Sequence, residues 1–128
     1  MRKTGALLIV SLLVFSLLVA ISGEVVARPE GGAYSDYSEE SFEQAKGVKR
    51  VLYFFAPWCP SCIAGDKKLK NVSIPEGVAV FKVDYDFSTE LKSKYGVVRQ
   101  HTFVQVDDQG EKIALWYGTA GSLSENIQ

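Results

Sequence analysis

Hydrophobic residues are concentrated at the start of the chain. The twenty residues from Thr4 to Gly23 contain no charged side chain, and Arg2 and Lys3 precede them. A positive start followed by an apolar run is typical of a secretory signal peptide. Twenty helical residues also span roughly 30 Å, which is enough to cross a bilayer once. Residues 1–23 are therefore predicted to be a cleaved signal peptide or an uncleaved membrane anchor, and both would place the remainder outside the cytoplasm.

The pattern changes after this segment. Residues 24–37 show little periodicity and contain Pro29, Gly31 and Gly32, so they are predicted to form a flexible spacer. A folded domain is expected over residues 38–128. Its predicted helices cover Ser38–Lys46, Cys62–Lys70, Thr89–Tyr95 and Ser122–Ile127, and its predicted strands cover Val51–Ala56, Val78–Asp84, Thr102–Val106 and Glu111–Tyr117.

The order of these elements predicts the arrangement of the sheet. Val51–Ala56 and Val78–Asp84 are nearly continuous apolar runs, as expected for central strands that are covered on both faces. They should be parallel, because a helical crossover joins them. The last two strands should be antiparallel, since the turn Asp107–Gly110 connects them. The prediction is an α/β fold with a mixed four-stranded sheet and helices on both faces.

Length and composition exclude several classes of protein. The chain has 128 residues, which allows one domain, and 14 basic residues stand against 15 acidic ones. No basic excess is available to bind nucleic acid. Two cysteines and one histidine cannot supply the four ligands of a structural zinc site. No nucleotide, flavin or haem motif occurs, so no cofactor is expected and electrons would have to arrive by thiol exchange.

The one strong motif is Trp-Cys-Pro-Ser-Cys at residues 58–62, between a buried strand and a helix. At a helix start, unpaired backbone N–H groups and the helix dipole stabilise a thiolate and lower the pKa of a cysteine to roughly 3.5–7.5. Cys59 is therefore predicted to be the exposed, attacking sulfur. Cys62, one turn further along, is predicted to resolve the mixed disulfide. The intervening Pro60 is expected to influence the reduction potential.

These features resemble the thioredoxin superfamily over about residues 38–127. The resemblance is carried by Phe55–Cys62, Lys82–Asp84, Tyr95–Val97 and the strand Thr102–Val104 with the Asp-Gln-Gly turn that follows it. It implies a thioredoxin-like fold and thiol–disulfide exchange with protein substrates, with Cys59 nucleophilic and Cys62 resolving. It also implies that Trp58 is the active-site tryptophan, which flanks the disulfide and shapes the substrate surface.

The sequence departs from the family pattern at three places. His101 occupies the position of the usual cis-proline, followed by the expected Thr102. Because a cis bond before a residue other than proline costs about 3–4 kcal/mol, a trans Gln100–His101 bond is expected. Tyr53 replaces a buried aspartate and is a poor base at neutral pH. The first strand of the family has no predicted counterpart in residues 24–37.

Three interpretations of His101 remain open from the sequence. It could be a loop residue without a chemical role. As an imidazolium it would stabilise the Cys59 thiolate, and as an imidazole it could take protons during exchange. With Cys59 and Cys62 it could also hold zinc or copper.

The sequence thus predicts an extracytoplasmic thiol–disulfide oxidoreductase that is periplasmic, on the cell surface or secreted. If the N-terminal segment is not cleaved, residues 4–23 would anchor it in a membrane. Its expected partners are cysteine-containing exported proteins and a second protein that recycles its disulfide. Two alternatives stay open. One is a non-catalytic thioredoxin-like binding or assembly module with a structural disulfide. The other is a metal carrier that uses Cys59, Cys62 and His101.

Overall fold

A computed structural model describes residues 32–118 and 122–128. The predicted signal peptide or anchor, residues 1–23, and most of the predicted spacer lie outside the described residues. Within the two described ranges, no helix has the length and apolar character needed to cross a membrane.

The described part of the chain forms one five-stranded sheet and four helices. In chain order the elements are β1 (Ala33–Asp36), α1 (Glu39–Gln44), β2 (Lys49–Phe55), α2 (Pro60–Asn71), β3 (Val78–Asp84), α3 (Thr89–Tyr95), β4 (Thr102–Val106), β5 (Lys112–Tyr117) and α4 (Leu123–Asn126). The strand order is β1-β3-β2-β4-β5. The predicted parallel pairing of β2 with β3 and the antiparallel pairing of β4 with β5 are confirmed.

The prediction of four strands is wrong, because residues 33–36 form an additional edge strand and are not spacer. β1 pairs in parallel with β3, from Ala33 opposite Ala79 to Asp36 opposite Lys82. An edge strand of four residues needs no apolar run, so its sequence gives little signal. Gly32, which suggested a flexible segment, instead allows close packing. A Cβ atom there would lie 2.1 Å from the Ile74 carbonyl oxygen.

Helices cover both faces of the sheet, as predicted. Alternate residues of β2 point to opposite sides, so that Leu52 and Phe54 lie in one core and Val51 and Tyr53 in the other. All four side chains are completely buried. The helices contribute Phe42 of α1 and Tyr95 of α3 to the first core, and Leu69 of α2 and Leu123 of α4 to the second. Burying each large apolar side chain stabilises the fold by about 1.5–3 kcal/mol. The central strand is thereby fixed, and its carboxyl end leads directly into residues 58–62.

Candidate redox site

The helix that carries the two cysteines begins earlier than predicted. α2 starts at Pro60, where the missing N–H of proline costs nothing and its fixed φ suits a helix. Cys59 consequently becomes the N-cap residue, with an extended backbone (φ −95°, ψ 112°). Its Sγ accepts a hydrogen bond from the backbone N–H of Cys62 at 3.3 Å. Cys59 therefore lies at the helix start, as its motif predicted.

The surroundings of Cys59 favour its ionised form. Burial of the sulfur opposes ionisation, but hydrogen bonds from the side chains of Cys62, Ser61 and Gln100 and from the Cys62 backbone together hold its pKa below the ordinary value. The Sγ of Cys59 lies 3.2 Å from the hydroxyl of Ser61. The positive end of the helix dipole acts in the same direction. Of the two thiols, Cys59 is thus the more readily deprotonated.

Cys62 is in the opposite situation. Its side chain is completely buried. Desolvation and the hydrogen bond with the Cys59 side chain raise the pKa of Cys62 to about 11. Both cysteines are free thiols in the structure. At neutral pH the pair therefore holds one acidic sulfur near the helix start and one protonated sulfur in the interior.

The expectation that Cys59 is exposed is wrong. Only 3% of the residue is accessible, and it packs with Ala56 and Cys62 against Phe55 and Tyr85. The N-cap conformation explains this burial, because a side chain that accepts an N–H from the first turn is directed back over the helix. The residues immediately before and after Cys59 are exposed. The sulfur consequently lies just below the surface.

Trp58 lies at the surface beside the cysteines, as the resemblance implied. It is 58% exposed, and its Nε1 donates a hydrogen bond to Oδ2 of Asp86 at 2.9 Å. The loop that carries Asp86 is held by Asp84, whose Oδ1 accepts the N–H groups of Asp86 and Phe87. Sequence reasoning missed the contact with Asp86, because 28 residues separate the partners and no local pattern links them.

His101 and Thr102 lie at the entry to β4. Among the described residues no peptide bond is cis, so the Gln100–His101 bond is trans, as expected. His101 has φ 59°, a left-handed conformation that costs a residue with a Cβ about 1–2 kcal/mol. Its backbone N–H donates to the Phe54 carbonyl at 2.8 Å, and the Thr102 hydroxyl donates to the Arg99 carbonyl at 2.7 Å. These bonds hold the strained backbone in place.

Two interpretations of His101 are corrected by its surroundings. Its ring is half-buried, and burial lowers the pKa of the imidazole below its ordinary value, so it is neutral at pH 7. An imidazolium that stabilises the Cys59 thiolate is therefore wrong at this pH. The metal interpretation also fails, since no group of three potential ligands forms within residues 32–118 and 122–128. Nδ1 of His101 instead lies 3.0 Å from the hydroxyl of Tyr53.

Tyr53 occupies the interior beside Cys62. Its hydroxyl donates to the Cys62 carbonyl oxygen at 3.1 Å and is also within hydrogen-bonding distance of His101. Its ring stacks on Phe103 with 4.5 Å between centroids. Desolvation and the interaction with Cys62 raise the pKa of the phenol well above its ordinary value, as expected for a poor base. The sequence identified the substitution of Tyr53 but did not predict its pairing with His101.

Comparisons with known proteins agree with this geometry. A family model described as Thioredoxin matches residues 34–127, which include all of β1 except Ala33. A counterpart of the family's first strand is thus present, contrary to the prediction from the sequence. No curated protein gives a significant sequence match.

The solved structures that resemble the chain include several thioredoxins. Fasciola hepatica thioredoxin is 33% identical, with a TM-score of 0.58 over 68% of this chain and 85% of that one. Schistosoma mansoni thioredoxin is 29% identical, with a TM-score of 0.58 over 73% of this chain and 88% of that one. Malassezia sympodialis thioredoxin is 26% identical, with a TM-score of 0.59 over 76% and 89%. Both the sequence match and the shared fold show that the chain belongs to the thioredoxin family.

Proposed function

We propose that the chain is an extracytoplasmic thiol–disulfide oxidoreductase that exchanges disulfides with cysteine-containing exported proteins. The observation that carries the proposal is the contrast between its two sulfurs. Cys59 is the N-cap of α2, accepts the N–H of Cys62 and has a lowered pKa, whereas the pKa of Cys62 is about 11. Nucleophilic attack requires a thiolate, so Cys59 attacks first.

The exchange proceeds in two steps. The Cys59 thiolate attacks a disulfide of the substrate, forms a mixed disulfide and releases the first substrate sulfur as a thiolate. Cys62 then loses its proton and attacks the Cys59 sulfur, which forms the Cys59–Cys62 disulfide and releases the second substrate sulfur. Two electrons pass to the substrate, and both released sulfurs take up protons. A dithiol recycling protein reverses the sequence of steps and restores the two thiols.

Trapping the mixed disulfide tests these roles. The full chain carrying Cys62→Ser should accumulate a covalent complex with a disulfide-containing protein, because nothing resolves the bond to Cys59. The matched Cys59→Ser variant should form no complex. The proposal is contradicted if neither the unaltered chain nor the Cys62→Ser variant reacts with the substrate, and if Cys59 is alkylated at pH 7 no faster than free cysteine.

The location is supported by the uncharged run Thr4–Gly23 and by the basic residues Arg2 and Lys3 before it. The full chain, expressed with a fluorescent reporter that matures only in a reducing cytoplasm, should give no cytoplasmic signal. A matched variant in which Leu12 and Leu13 are replaced by arginine should remain in the cytoplasm. Equal cytoplasmic signal from both chains would contradict export.

One observation favours a second candidate, a non-catalytic module with a structural disulfide. Cys59 is only 3% exposed, which fits an inert cysteine. A structural disulfide is expected to have a reduction potential below about −300 mV, whereas redox-active members of this fold range from about −270 to −120 mV. A potential below that range, together with no mixed disulfide in the trapping experiment, would support the module.

A further inference from the structure

Cys62 has a proton to exchange but no direct access to solvent. The side chain is completely buried and protonated at neutral pH, and it must lose its proton whenever it attacks the mixed disulfide. When the internal disulfide is reduced, the same sulfur leaves as a buried thiolate and must regain a proton. Both directions of the proposed reaction therefore need a path for one proton between Cys62 and water.

Tyr53 and His101 lie along such a path. The Tyr53 hydroxyl lies 3.1 Å from the Cys62 carbonyl oxygen, which accepts its hydrogen, and 3.0 Å from Nδ1 of His101. Nδ1 is a second acceptor when the neutral imidazole carries its proton on Nε2. Tyr53 is completely buried, whereas His101 is only partly buried. The hydroxyl also interacts with the Cys62 side chain, and this interaction contributes to the raised pKa of the phenol.

Gly65 provides the space for this contact. It lies in α2, one turn after the cysteine motif, and a Cβ atom there would be 2.7 Å from the Tyr53 hydroxyl and 2.9 Å from Cε1 of His101. Glycine inside a helix is less stable than alanine. The less stable residue thus stands at a position where a side chain would clash with Tyr53 and His101.

We propose that Tyr53 and His101 form a proton relay that serves the resolving sulfur of Cys62. This inference rests on the proposed function. As Cys62 attacks Cys59, its proton passes to the Tyr53 oxygen while the Tyr53 hydroxyl proton passes to Nδ1 of His101. His101 then releases one ring proton to water, and the Cys59–substrate bond breaks with departure of the substrate thiolate. Reduction of the internal disulfide runs the same transfers in reverse, so that Cys62 gains one proton from solvent.

The charged and titratable groups that face Tyr53 are few. Cys59 at the N-cap of α2, and Cys62 and Asp66 within α2, interact with the phenol, and His101 faces it from the entry to β4. Tyr34 of β1 also interacts with it, and its raised pKa keeps this second phenol neutral between pH 6 and 9. Lys82 of β3 is its neighbour in the sheet. The pKa of Asp66 is lowered and that of Lys82 is raised by their hydrogen bonds, so both keep their charge between pH 6 and 9. Any change in the resolution rate over that range therefore reflects the two cysteines and the relay.

The two steps of exchange can be timed separately with one equivalent of 5,5′-dithiobis(2-nitrobenzoate). Attack by Cys59 releases the first coloured thiolate, and resolution by Cys62 releases the second. Tyr53→Phe keeps the ring that stacks on Phe103 but removes the hydroxyl. His101→Asn introduces a residue type that also tolerates the positive φ of this position. Asparagine has no imidazole ring and cannot carry a proton. Tyr95→Phe is the matched control, because it removes a buried hydroxyl that donates to the Gly110 carbonyl away from the site.

Both relay variants should release the first thiolate at the unaltered rate and the second about 100-fold more slowly at pH 7, a typical size for the loss of general acid–base catalysis. The difference between the variants and the unaltered chain in the rate of the second release should narrow as the pH rises towards about 11, because Cys62 then ionises unaided. The double variant should be no slower than either single one, because one path is interrupted in all three.

Three results would overturn the relay. They are an unaltered second phase in both variants from pH 6 to 9, a slow second phase in only one of them, and an equal slowing by Tyr95→Phe. Absence of the first phase in the unaltered chain would instead overturn the proposed function, and the relay with it.

Discussion

Replacing Gly65 by alanine sets two physical effects against each other at one position. Alanine in a helix interior is favoured over glycine by about 0.8–1 kcal/mol. At this site, however, the added Cβ would lie 2.7 Å from the Tyr53 hydroxyl and 2.9 Å from the ring of His101. The hydroxyl cannot move aside freely, because Tyr53 is completely buried and its ring stacks on Phe103 at 4.5 Å.

The clash should outweigh the gain in helix propensity. Overpacking of a well-packed core costs about 1–3 kcal/mol, and displacing the hydroxyl from the Cys62 carbonyl removes a buried hydrogen bond worth about 1 kcal/mol. Subtracting the helix gain leaves Gly65→Ala destabilised by about 1–3 kcal/mol. Domains of this kind are stable by about 5–15 kcal/mol, so the variant should still fold.

Urea denaturation of the full chain under reducing conditions measures this difference. With a slope of about 1–3 kcal/mol per molar urea, the midpoint should fall by roughly 1 M. The double variant Gly65→Ala with Tyr53→Phe removes the closest atom in the clash. Gly65→Ala should therefore cost less stability in a chain that already carries Tyr53→Phe than in the unaltered chain. The reasoning is refuted if Gly65→Ala is as stable as the unaltered chain or gains about 1 kcal/mol, since helix propensity alone would then describe the site.

Three further predictions concern ionisation. Ser61→Ala removes the hydroxyl 3.2 Å from the Cys59 sulfur, one of the groups that lower the pKa of Cys59, so this pKa should rise. The pH dependence of iodoacetamide alkylation measures it, and an unchanged midpoint would exclude this hydrogen bond as a cause. The reduced chain should lose about 2–3 kcal/mol of stability as the pH rises from about 9 to 11, because the pKa of Cys62 is raised to about 11 by desolvation and by Cys59 and the folded state therefore favours the thiol. In urea titrations, a matched Cys62→Ala chain should lose less stability over the same pH range. Equal losses would contradict the assignment of the pH dependence to Cys62. The pKa of Asp66 is lowered, since hydrogen bonds from Lys70 and Tyr34 outweigh the opposing effect of burial. The contribution of Asp66 to stability is thus present above the unfolded pKa near 4 and is lost as the pH falls below it. Asp66→Asn should therefore be less stable than the unaltered chain at pH 7 but not at pH 2. A difference in stability that stays constant between these pH values would contradict this.

Local signals in the sequence were sufficient to predict several elements. The apolar run of β3 gave its observed bounds, Val78–Asp84. The helix Thr89–Tyr95 also has its predicted bounds, for which the signals were Ser88 before it and Gly96 after it, and Gly96 adopts the left-handed conformation typical of a helix end. The adjacency of a buried strand and a Cys-x-x-Cys motif placed Cys59 at a helix start.

Features that depend on contacts between distant segments could not be predicted in this way. β1 is held by pairing with β3, and its four residues carry no periodic pattern of their own. The burial of Cys59 follows from the direction of an N-cap side chain and from the packing of Tyr85, which the motif does not encode. Trp58 meets Asp86 only because the fold brings the two loops together.

Tyr53, Gly65 and His101 each break a local rule, and the structure relates the three exceptions to one another. A phenolic hydroxyl lies in the core, a glycine interrupts a helix, and a histidine adopts φ 59°. The glycine and the left-handed histidine alone cost about 1.5–3 kcal/mol, a substantial fraction of the stability of a small domain. Such costs concentrate at functional sites. Each is needed for the same contact, because the glycine leaves room for the hydroxyl and the left-handed backbone belongs to the residue whose ring meets it. Substitution of any one of the three should therefore disturb the exchange of the Cys62 proton, whereas a purely structural cluster would affect only the free energy of unfolding.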